Sequence, residues 1–290
     1  MDTRIWQVGV FCVIDCWNGA AWDSSNHRFH LFGGGHGGYA GNEVYELDLE
    51  ALTLRRLHDP SPLVGVDALG DSIPTNDPAS THTYDGMVWS PSTNSFFMFA
   101  STNTGGGEFD VATNGWLRSD ITAGWYPMAE YDPTTGLIYL IGGNGSSDLR
   151  VIDPVARRVV QNLGNRGYNT VASLRLWNGD LYKLEDDPNY GPPHIRRLRL
   201  SGGDEKYVNT PAGLGRQAGF AIRGNQFVFW NGNKEVWIYD SHSGQWTTYS
   251  PPSGPASTYG GRILSRWVYL PQLDAFAGYT NPGGLWLFKP

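Results

Sequence analysis

The chain has 290 residues and a formal net charge of −7, with a pI of about 5.4. Hydrophobic residues make up 40% of it and charged residues only 17%, which excludes a disordered chain. Because a protein that neutralises phosphates normally carries a basic face, this balance argues against a nucleic-acid partner. The 38 glycines and 13% aromatic residues are typical of aromatic strands separated by glycine-rich turns.

The N-terminal region contains an apolar run over residues 5–14. It lacks the basic start and small-residue cleavage site of a signal peptide, and it is too short to span a bilayer. The sequence is therefore compatible with three locations: the cytoplasm, a virion, or the outside of the cell after secretion and removal of a leader.

The chain has two cysteines, Cys12 and Cys16. If this segment is an extended strand, residues four apart lie about 13 Å from each other, too far for a disulfide. We therefore expect two small apolar residues that form neither a disulfide nor a metal site.

A tight turn between two short apolar strands recurs along the chain. Its markers are residues 23, 90, 132, 178, 224 and 271, and after a first interval of 67 residues they are spaced by 42 to 47. That period is the length of one four-stranded propeller blade. The repeat predicts an all-β fold with six blades.

Each turn is followed by an apolar strand and, in most repeats, a glycine-rich loop. The third strand of a repeat often closes on aspartate, as at Asp48, Asp153 and Asp240. Such a carboxylate accepts a hydrogen bond from the next backbone N–H groups and starts the turn into strand four. Almost no segment has a helical pattern. The strongest candidate, 43–57, favours two strands, with a short helical turn at 49–52 as an alternative local structure.

The most specific motif is Tyr239-Asp240 followed by Gly244 and Trp246, which resembles a kelch repeat. The double glycines at 34–35 and 142–143 are also similar to kelch, as is Phe109-Asp110 with Gly115-Trp116. The fourth repeat departs from the pattern, because it lacks both the double glycine and the aspartate. The resemblance to kelch-like propellers, and through them to the galactose-oxidase-like superfamily, covers nearly the whole chain.

This resemblance implies one six-bladed β-propeller domain over residues 1–290. The last repeat lacks an outer strand, and residues 4–8 resemble one, so we expect the N-terminal strand to complete the last blade and close the ring. The expected blades are 17–57, 83–118, 125–161, 168–208, 217–249, and 262–288 with 4–8.

In a propeller, the loops that join strands two to three and blade to blade share one face. The two most unusual segments of this chain, the glycine-rich loop 33–42 and the long connection 58–82, both belong to that face. Aromatic and arginine side chains around a concave mouth suit a glycan, an acidic ligand or a protein loop. The candidate ligand-binding residues are His36, Tyr39, Asn42, His82, Tyr84, Tyr126, Arg166, Tyr168, Tyr259 and Arg262.

The favoured function is a non-catalytic module that binds a glycan or protein, alone or within a larger assembly such as a phage or other surface-binding structure. The alternative is a polysaccharide lyase for an acidic glycan, with a His or Tyr base and an Arg that neutralises the carboxylate. Its candidate catalytic residues are His36, His82, Tyr84, Arg216 and Arg262.

No cofactor or metal is expected. The cross-linked Tyr–Cys of galactose-oxidase-like copper enzymes needs a cysteine in the channel, and both cysteines precede the first blade. The histidines show no zinc-ligand spacing.

Overall fold

A computed structural model describes residues 11–35, 39–66, 72–75, 77–99, 106–119, 121–142, 148–166, 171–185, 193–255, 262–280 and 284–290. Within these residues the chain is built of β-strands, with one short helix, α1 (Phe11–Asp15). The chain divides into two compact units, Met1–Asn169 and Thr170–Pro290. No helix in the described part of the chain is long and apolar enough to cross a membrane.

In its described residues, the first unit contains three antiparallel four-stranded sheets and one additional hairpin. In chain order, blade 1 has β1 (Ala21–Asp23), β2 (Arg28–Leu31), β3 (Val44–Asp48) and β4 (Thr53–His58), and the hairpin that follows has β5 (Leu63–Val66) and β6 (Ser72–Pro74). Blade 2 has β7 (Met87–Ser90), β8 (Ser95–Met98), β9 (Gly106–Asp110) and β10 (Gly115–Ser119). Blade 3 has β11 (Met128–Asp132), β12 (Leu137–Ile141), β13 (Asp148–Asp153) and β14 (Arg158–Asn165).

The second unit contains two four-stranded sheets and a sheet with three described strands. Blade 4 has β15 (Ser173–Trp177), β16 (Asp180–Glu185), β17 (His194–Leu198) and β18 (Glu205–Asn209), blade 5 has β19 (Gly219–Arg223), β20 (Gln226–Trp230), β21 (Val236–Asp240) and β22 (Gln245–Tyr249), and blade 6 has β23 (Trp267–Leu270), β24 (Ala275–Thr280) and β25 (Gly284–Phe288).

These sheets confirm the predicted fold class, an all-β six-bladed propeller with almost no helix. In each sheet the strands are hydrogen-bonded in chain order, as in a meander. The segment 43–57 forms the two strands β3 and β4, joined by a tight turn at 49–52. Residues 4–8, predicted to complete blade 6, lie outside the described residues.

The aspartates at the end of third strands start the turns, as predicted. The carboxylate of Asp153 accepts hydrogen bonds from the backbone N–H groups of Val155 and Ala156, both at 2.9 Å. Asp48 and Asp240 bond the two N–H groups that follow them in the same way. The pKa of the Asp48 carboxyl is lowered, first by the hydrogen bond from the Ala51 N–H.

Apolar side chains between neighbouring blades form the core of each unit. Phe96 and Phe109 of blade 2 pack with Phe32 and Val44 of blade 1, while the other face of blade 2 packs on blade 3. In the second unit, aromatic side chains fill the space between blades 4 and 5, and Trp267 lies in the cluster between blades 5 and 6. Burial of this area drives the packing of the blades.

The prediction for the cysteines is wrong. Cys12 and Cys16 form a disulfide with Cα atoms 4.6 Å apart. The prediction assumed an extended strand, whereas residues 11–15 form α1, and this helical turn brings the two residues together.

In the sequence, the arginines at 196, 197 and 199 stand among apolar residues, a pattern that predicts the solvent face of one strand, and for Arg196 this prediction is wrong. Its side chain is only 9% exposed and pairs with Glu185 at 3.5 Å and Asp204 at 3.4 Å. Arg197 and Arg199 are more exposed and both contact Glu205. Carboxylates therefore accompany each of these arginines.

Candidate functional site

The candidate site is formed by the segments that lead into the first strands of blades 1 to 3, residues 16–19, 82–86 and 125–127. We call them the entrance segments. Each ends within a few residues of β1, β7 or β11, which are adjacent within the first unit. Of the two unusual sequence features, the described start of the loop 33–42 contacts the end of the connection 58–82 at Thr81 and His82.

Each entrance segment contains an aromatic residue with left-handed backbone. The φ angles are 55° at Trp17, 48° at Tyr84 and 55° at Tyr126. Positive φ is uncommon for residues other than glycine, and for bulky side chains it is an outlier. Such strain persists only where the surrounding structure imposes it, and it concentrates at ligand sites. Three successive blades thus share one unfavourable conformation and one side-chain class.

The side chains of these segments form a continuous row of rings. Ring centroids are 5.0 Å apart between Trp17 and His82, 5.7 Å between His82 and Tyr84, and 5.2 Å between Tyr84 and Tyr126. Trp125 extends the row at 6.3 Å from Tyr126. We call these five side chains the aromatic row.

The aromatic row has a buried floor and an accessible rim. His82 is 8% exposed and Tyr84 5%, whereas Tyr126 is 36% exposed. Trp17 and Trp125 are half-buried. A ligand on this surface would therefore meet the more exposed residues Trp17, Trp125 and Tyr126, while the nearly buried His82 and Tyr84 pack against Trp17 and Tyr126.

The imidazole of His82 is fixed from two sides. Its Nδ1 lies 2.6 Å from the carbonyl oxygen of Cys16, and since a carbonyl only accepts hydrogen bonds, Nδ1 is the donor. Gly35, with φ of 76°, packs on the ring so closely that a Cβ there would lie 2.1 Å from Cε1. In the neutral ring, Nε2 then carries the lone pair.

The first glycines of the glycine-rich loop let its backbone lie close to residues 80 and 81. A Cβ on Gly33 would lie 2.6 Å from the Thr81 carbonyl oxygen, and one on Gly34 would lie 2.8 Å from Ser80 Oγ. The Gly34 N–H donates to the Thr81 carbonyl at 3.2 Å. Glycine is needed here because the loop packs against the segment that carries His82.

Asn42 and Tyr39, the other two described candidates in this loop, make hydrogen bonds to neighbouring segments of the chain. Asn42 is buried and donates from Nδ2 to the Pro78 carbonyl at 2.9 Å, while its Oδ1 accepts from the Ser61 N–H at 2.8 Å. The Tyr39 hydroxyl donates to the carboxylate of Glu43, and burial is the main cause of its raised pKa.

The described part of the connection 58–82 is ordered by a few polar contacts. His58 Nε2 lies 3.0 Å from the carboxylate of Asp77, and the Ser61 hydroxyl also bonds that carboxylate. Together with Asn42, these contacts attach the segment to blade 1. β5 and β6 form a hairpin in its middle.

The remaining predicted site residues are distributed over both units. Arg166 belongs to the first unit and is buried, at 7% exposure. Arg216 and Arg262 precede the first strands of blades 5 and 6, where the Gln217 carbonyl accepts from the N–H groups of Ile263 and Leu264. The candidates outside the described residues are His36, Tyr168 and Tyr259.

Of the proposed lyase residues, the structure brings His82 and Tyr84 together, while Arg216 and Arg262 belong to the second unit and His36 is not described. Sequence reasoning missed Trp17 and Trp125. Both could have been found by aligning the residues that precede each first strand, since Tyr84 and Tyr126 were identified in that way.

Among the described residues, no group of three or more His, Cys, Asp or Glu side chains has an arrangement that could hold a metal ion.

No protein-family model matches the chain, and no curated protein matches it. Solved structures resemble it over nearly its whole length. YjhT is 14% identical, with a TM-score of 0.57 over 93% of this chain and 92% of that one. Hydrazine synthase of Kuenenia stuttgartiensis is 12% identical, with a TM-score of 0.60 over 94% and 95%.

A Bacteroides thetaiotaomicron protein of unknown function is 9% identical, with a TM-score of 0.57 over 94% of this chain and 68% of that one. At such identities these similarities support the propeller fold alone, and kinship with kelch proteins remains a resemblance in motifs.

Proposed function

We propose that the chain is a non-catalytic binding module whose aromatic row takes up a glycan. The observation that carries the proposal is the recurrence of a left-handed aromatic residue in three successive entrance segments. Leu264, which precedes the first strand of blade 6, also has a φ of 55°, so the conformation is not confined to aromatic residues. What distinguishes blades 1 to 3 is that this conformation carries an aromatic ring each time.

The chemistry of the rim suits a sugar. One face of a pyranose ring carries C–H bonds with partial positive charge, and the faces of tryptophan and tyrosine rings are negative and apolar. Trp17, Trp125 and Tyr126 supply such rings, and Tyr126 adds a hydroxyl group. The length of the row suits several sugar units better than a single one.

A glycan array followed by calorimetry tests this proposal. Tyr126→Ala should weaken binding of the best glycan ten- to hundred-fold, since loss of a central aromatic contact costs about 1.5–3 kcal/mol. Tyr249→Ala is the matched control, because Tyr249 is similarly exposed, at 40%, but lies on β22. Failure to retain any glycan, or equal effects of the two substitutions, would refute the proposal.

A lyase acting on an acidic glycan is the second candidate, and the orientation of His82 is the observation that favours it. With Nδ1 donating to the Cys16 carbonyl, Nε2 is the basic nitrogen of the neutral ring, as a general base requires. Incubation with a panel of polyuronates, with detection of unsaturated products by ultraviolet absorbance, tests this. Activity lost in His82→Ala would support a lyase, and no product from any polyuronate would eliminate it.

A module of this kind would also serve as the surface-binding component of a larger assembly. In that role, the aromatic row would attach the assembly to a surface coated with glycans.

A further inference from the structure

The Cys12–Cys16 disulfide lies next to the aromatic row. It closes a five-residue segment that includes all of α1 except its first residue, and the N–H of Cys16 donates to the Cys12 carbonyl at 3.1 Å. Cys12 is buried, whereas Cys16 is partly exposed. Trp17, the first ring of the row, follows directly.

The main chain beside the disulfide holds two members of the row. The carbonyl of Cys16 accepts from Nδ1 of His82 at 2.6 Å. The carbonyl of Trp17 accepts from the Tyr84 N–H at 2.8 Å. The positions of His82 and Tyr84 therefore depend on where the chain at 16–17 runs.

Asn18 joins the disulfide segment to the second entrance segment. Its side chain is fully buried, and Nδ2 donates to the Cys12 carbonyl at 2.7 Å. Its Oδ1 accepts from the Thr83 N–H at 3.0 Å, and the Gly19 N–H donates to Thr83 Oγ1 at 3.1 Å. Through Asn18, the turn closed by the disulfide is bonded directly to the backbone beneath the row.

We propose that Cys12 and Cys16 are positioning residues for the aromatic row, and that their disulfide makes glycan binding dependent on redox state. This inference rests on the proposed function. With the disulfide formed, the turn can hold Trp17 at its unfavourable φ of 55°, because the covalent link removes alternative conformations of the segment. Without it, the segment regains them, and the row loses its fixed spacing.

The chemistry is a two-electron exchange with a dithiol. A thiolate of the reductant attacks the sulfur of Cys16, the more exposed of the two residues, which breaks the Cys12–Cys16 bond and forms a mixed disulfide. The second thiol of the reductant then displaces Cys16. The protein gains two electrons and two protons as thiols, and the dithiol leaves as a disulfide. Because disulfides persist in oxidising surroundings, the row would bind strongly there and weakly in a reducing compartment.

Hydrogen exchange tests the positioning role without any ligand. In the oxidised protein, the Thr83 and Tyr84 amides are protected by Asn18 and Trp17. Reduction with dithiothreitol should speed their exchange, and Cys12→Ser/Cys16→Ser should show the faster rate with or without reductant. The amide of Ile238, within the β21–β22 ladder, is the internal control. Unchanged exchange at Thr83 and Tyr84, with both thiols shown by alkylation to be free, would overturn the inference.

Affinity for the glycan found on the array tests the redox dependence. Reduction should weaken binding about ten-fold, an ordinary coupling between two sites, and reoxidation should restore it. The double serine variant should bind weakly under both conditions. Unchanged affinity in the fully reduced protein would overturn the inference and leave the proposed function standing. Absence of binding in the oxidised protein would instead refute the proposed function, and the exchange rates would still decide whether the disulfide positions the row.

Discussion

Gly35 shows how a single residue fixes the floor of the site. Its φ is 76°, and a Cβ there would lie 2.1 Å from the His82 ring. Gly35→Ala therefore adds both a backbone penalty of about 1–2 kcal/mol and displacement of His82. We expect lower stability in urea unfolding and weaker glycan binding.

Gly179→Ala is the matched control, since Gly179 has φ of 80° and nothing lies within 4 Å of a Cβ there. It carries the backbone penalty without the contact. If the two substitutions lower stability and affinity equally, contact between Gly35 and His82 does not support the site.

At the scale of residues, the sequence identifies candidates by position in the repeat but not by conformation. His82, Tyr84 and Tyr126 were predicted because they precede first strands, and the structure places them in one row. Trp17 was missed because the segment around Cys12 was taken as extended. Residues 16–19, which follow the helical turn, contact residues 82–84, more than sixty positions away in the sequence.

Among the elements, the pair β16–β17 carries a fully buried group of charges. The Glu185 carboxylate contacts Lys183, lies 3.3 Å from Nε2 of His194 and 3.5 Å from Nη1 of Arg196. Lys183, Glu185 and His194 are all inaccessible to solvent. The carboxylate thus compensates the charges of Lys183 and Arg196, which strand pairing brings to the same face of the sheet.

Glu185→Gln keeps the shape of the side chain and removes its charge. We expect a loss of about 3–5 kcal/mol in the free energy of unfolding, because buried cationic groups lose their compensating charge. Chemical denaturation measures it. Glu205→Gln, on the exposed strand β18, removes a carboxylate that pairs with Arg197 and Arg199 at the surface, and it should leave the midpoint nearly unchanged. Similar midpoints for both variants would contradict the claim that Glu185 compensates buried charges in blade 4.

The elements themselves were largely predictable, because turn chemistry and strand alternation are local. The aspartate turns after β3, β13 and β21 follow from one side chain bonding the next N–H groups. Burial of Arg196 was not predictable, since alternation distinguishes the two faces of a strand but does not say which of them packs against protein. In blade 4 both faces are buried along much of β16.

At the scale of the whole molecule, we expect the free energy of unfolding to depend on pH through His30. This side chain is fully buried and stacks against the rings of Trp89 and Phe96, with centroids at 5.1 and 5.5 Å. Burial lowers its pKa to about 4, although Glu46, whose Oε2 is 4.0 Å away, acts in the opposite direction. The folded protein therefore keeps His30 neutral at pH values where the unfolded chain takes up a proton.

Since the unfolded state binds more protons between about pH 6.5 and pH 4, stability falls as pH falls through this window. His30 alone should remove about 2 kcal/mol of unfolding free energy between pH 7 and pH 5. Urea unfolding at the two pH values measures this loss, and His30→Phe, which keeps a ring against Trp89 and Phe96, should reduce it. The same pH dependence in wild type and variant would show that other groups are responsible.

The fold of the whole chain was predictable because its signal is repeated six times. Each blade is a weak motif, but a constant period of turns and glycine-rich loops leaves few architectures. Function lacks such redundancy. The row of rings arises from contacts among three entrance segments, and a single sequence shows where those segments begin but not that their side chains touch.

The measurement that tests the central claim most directly is a crystal structure of the oxidised protein with the best glycan from the array. A sugar ring stacked on Trp17, Trp125 or Tyr126, above His82 and Tyr84, is the predicted result. A glycan bound elsewhere, with these rings in contact with solvent alone, would contradict the account.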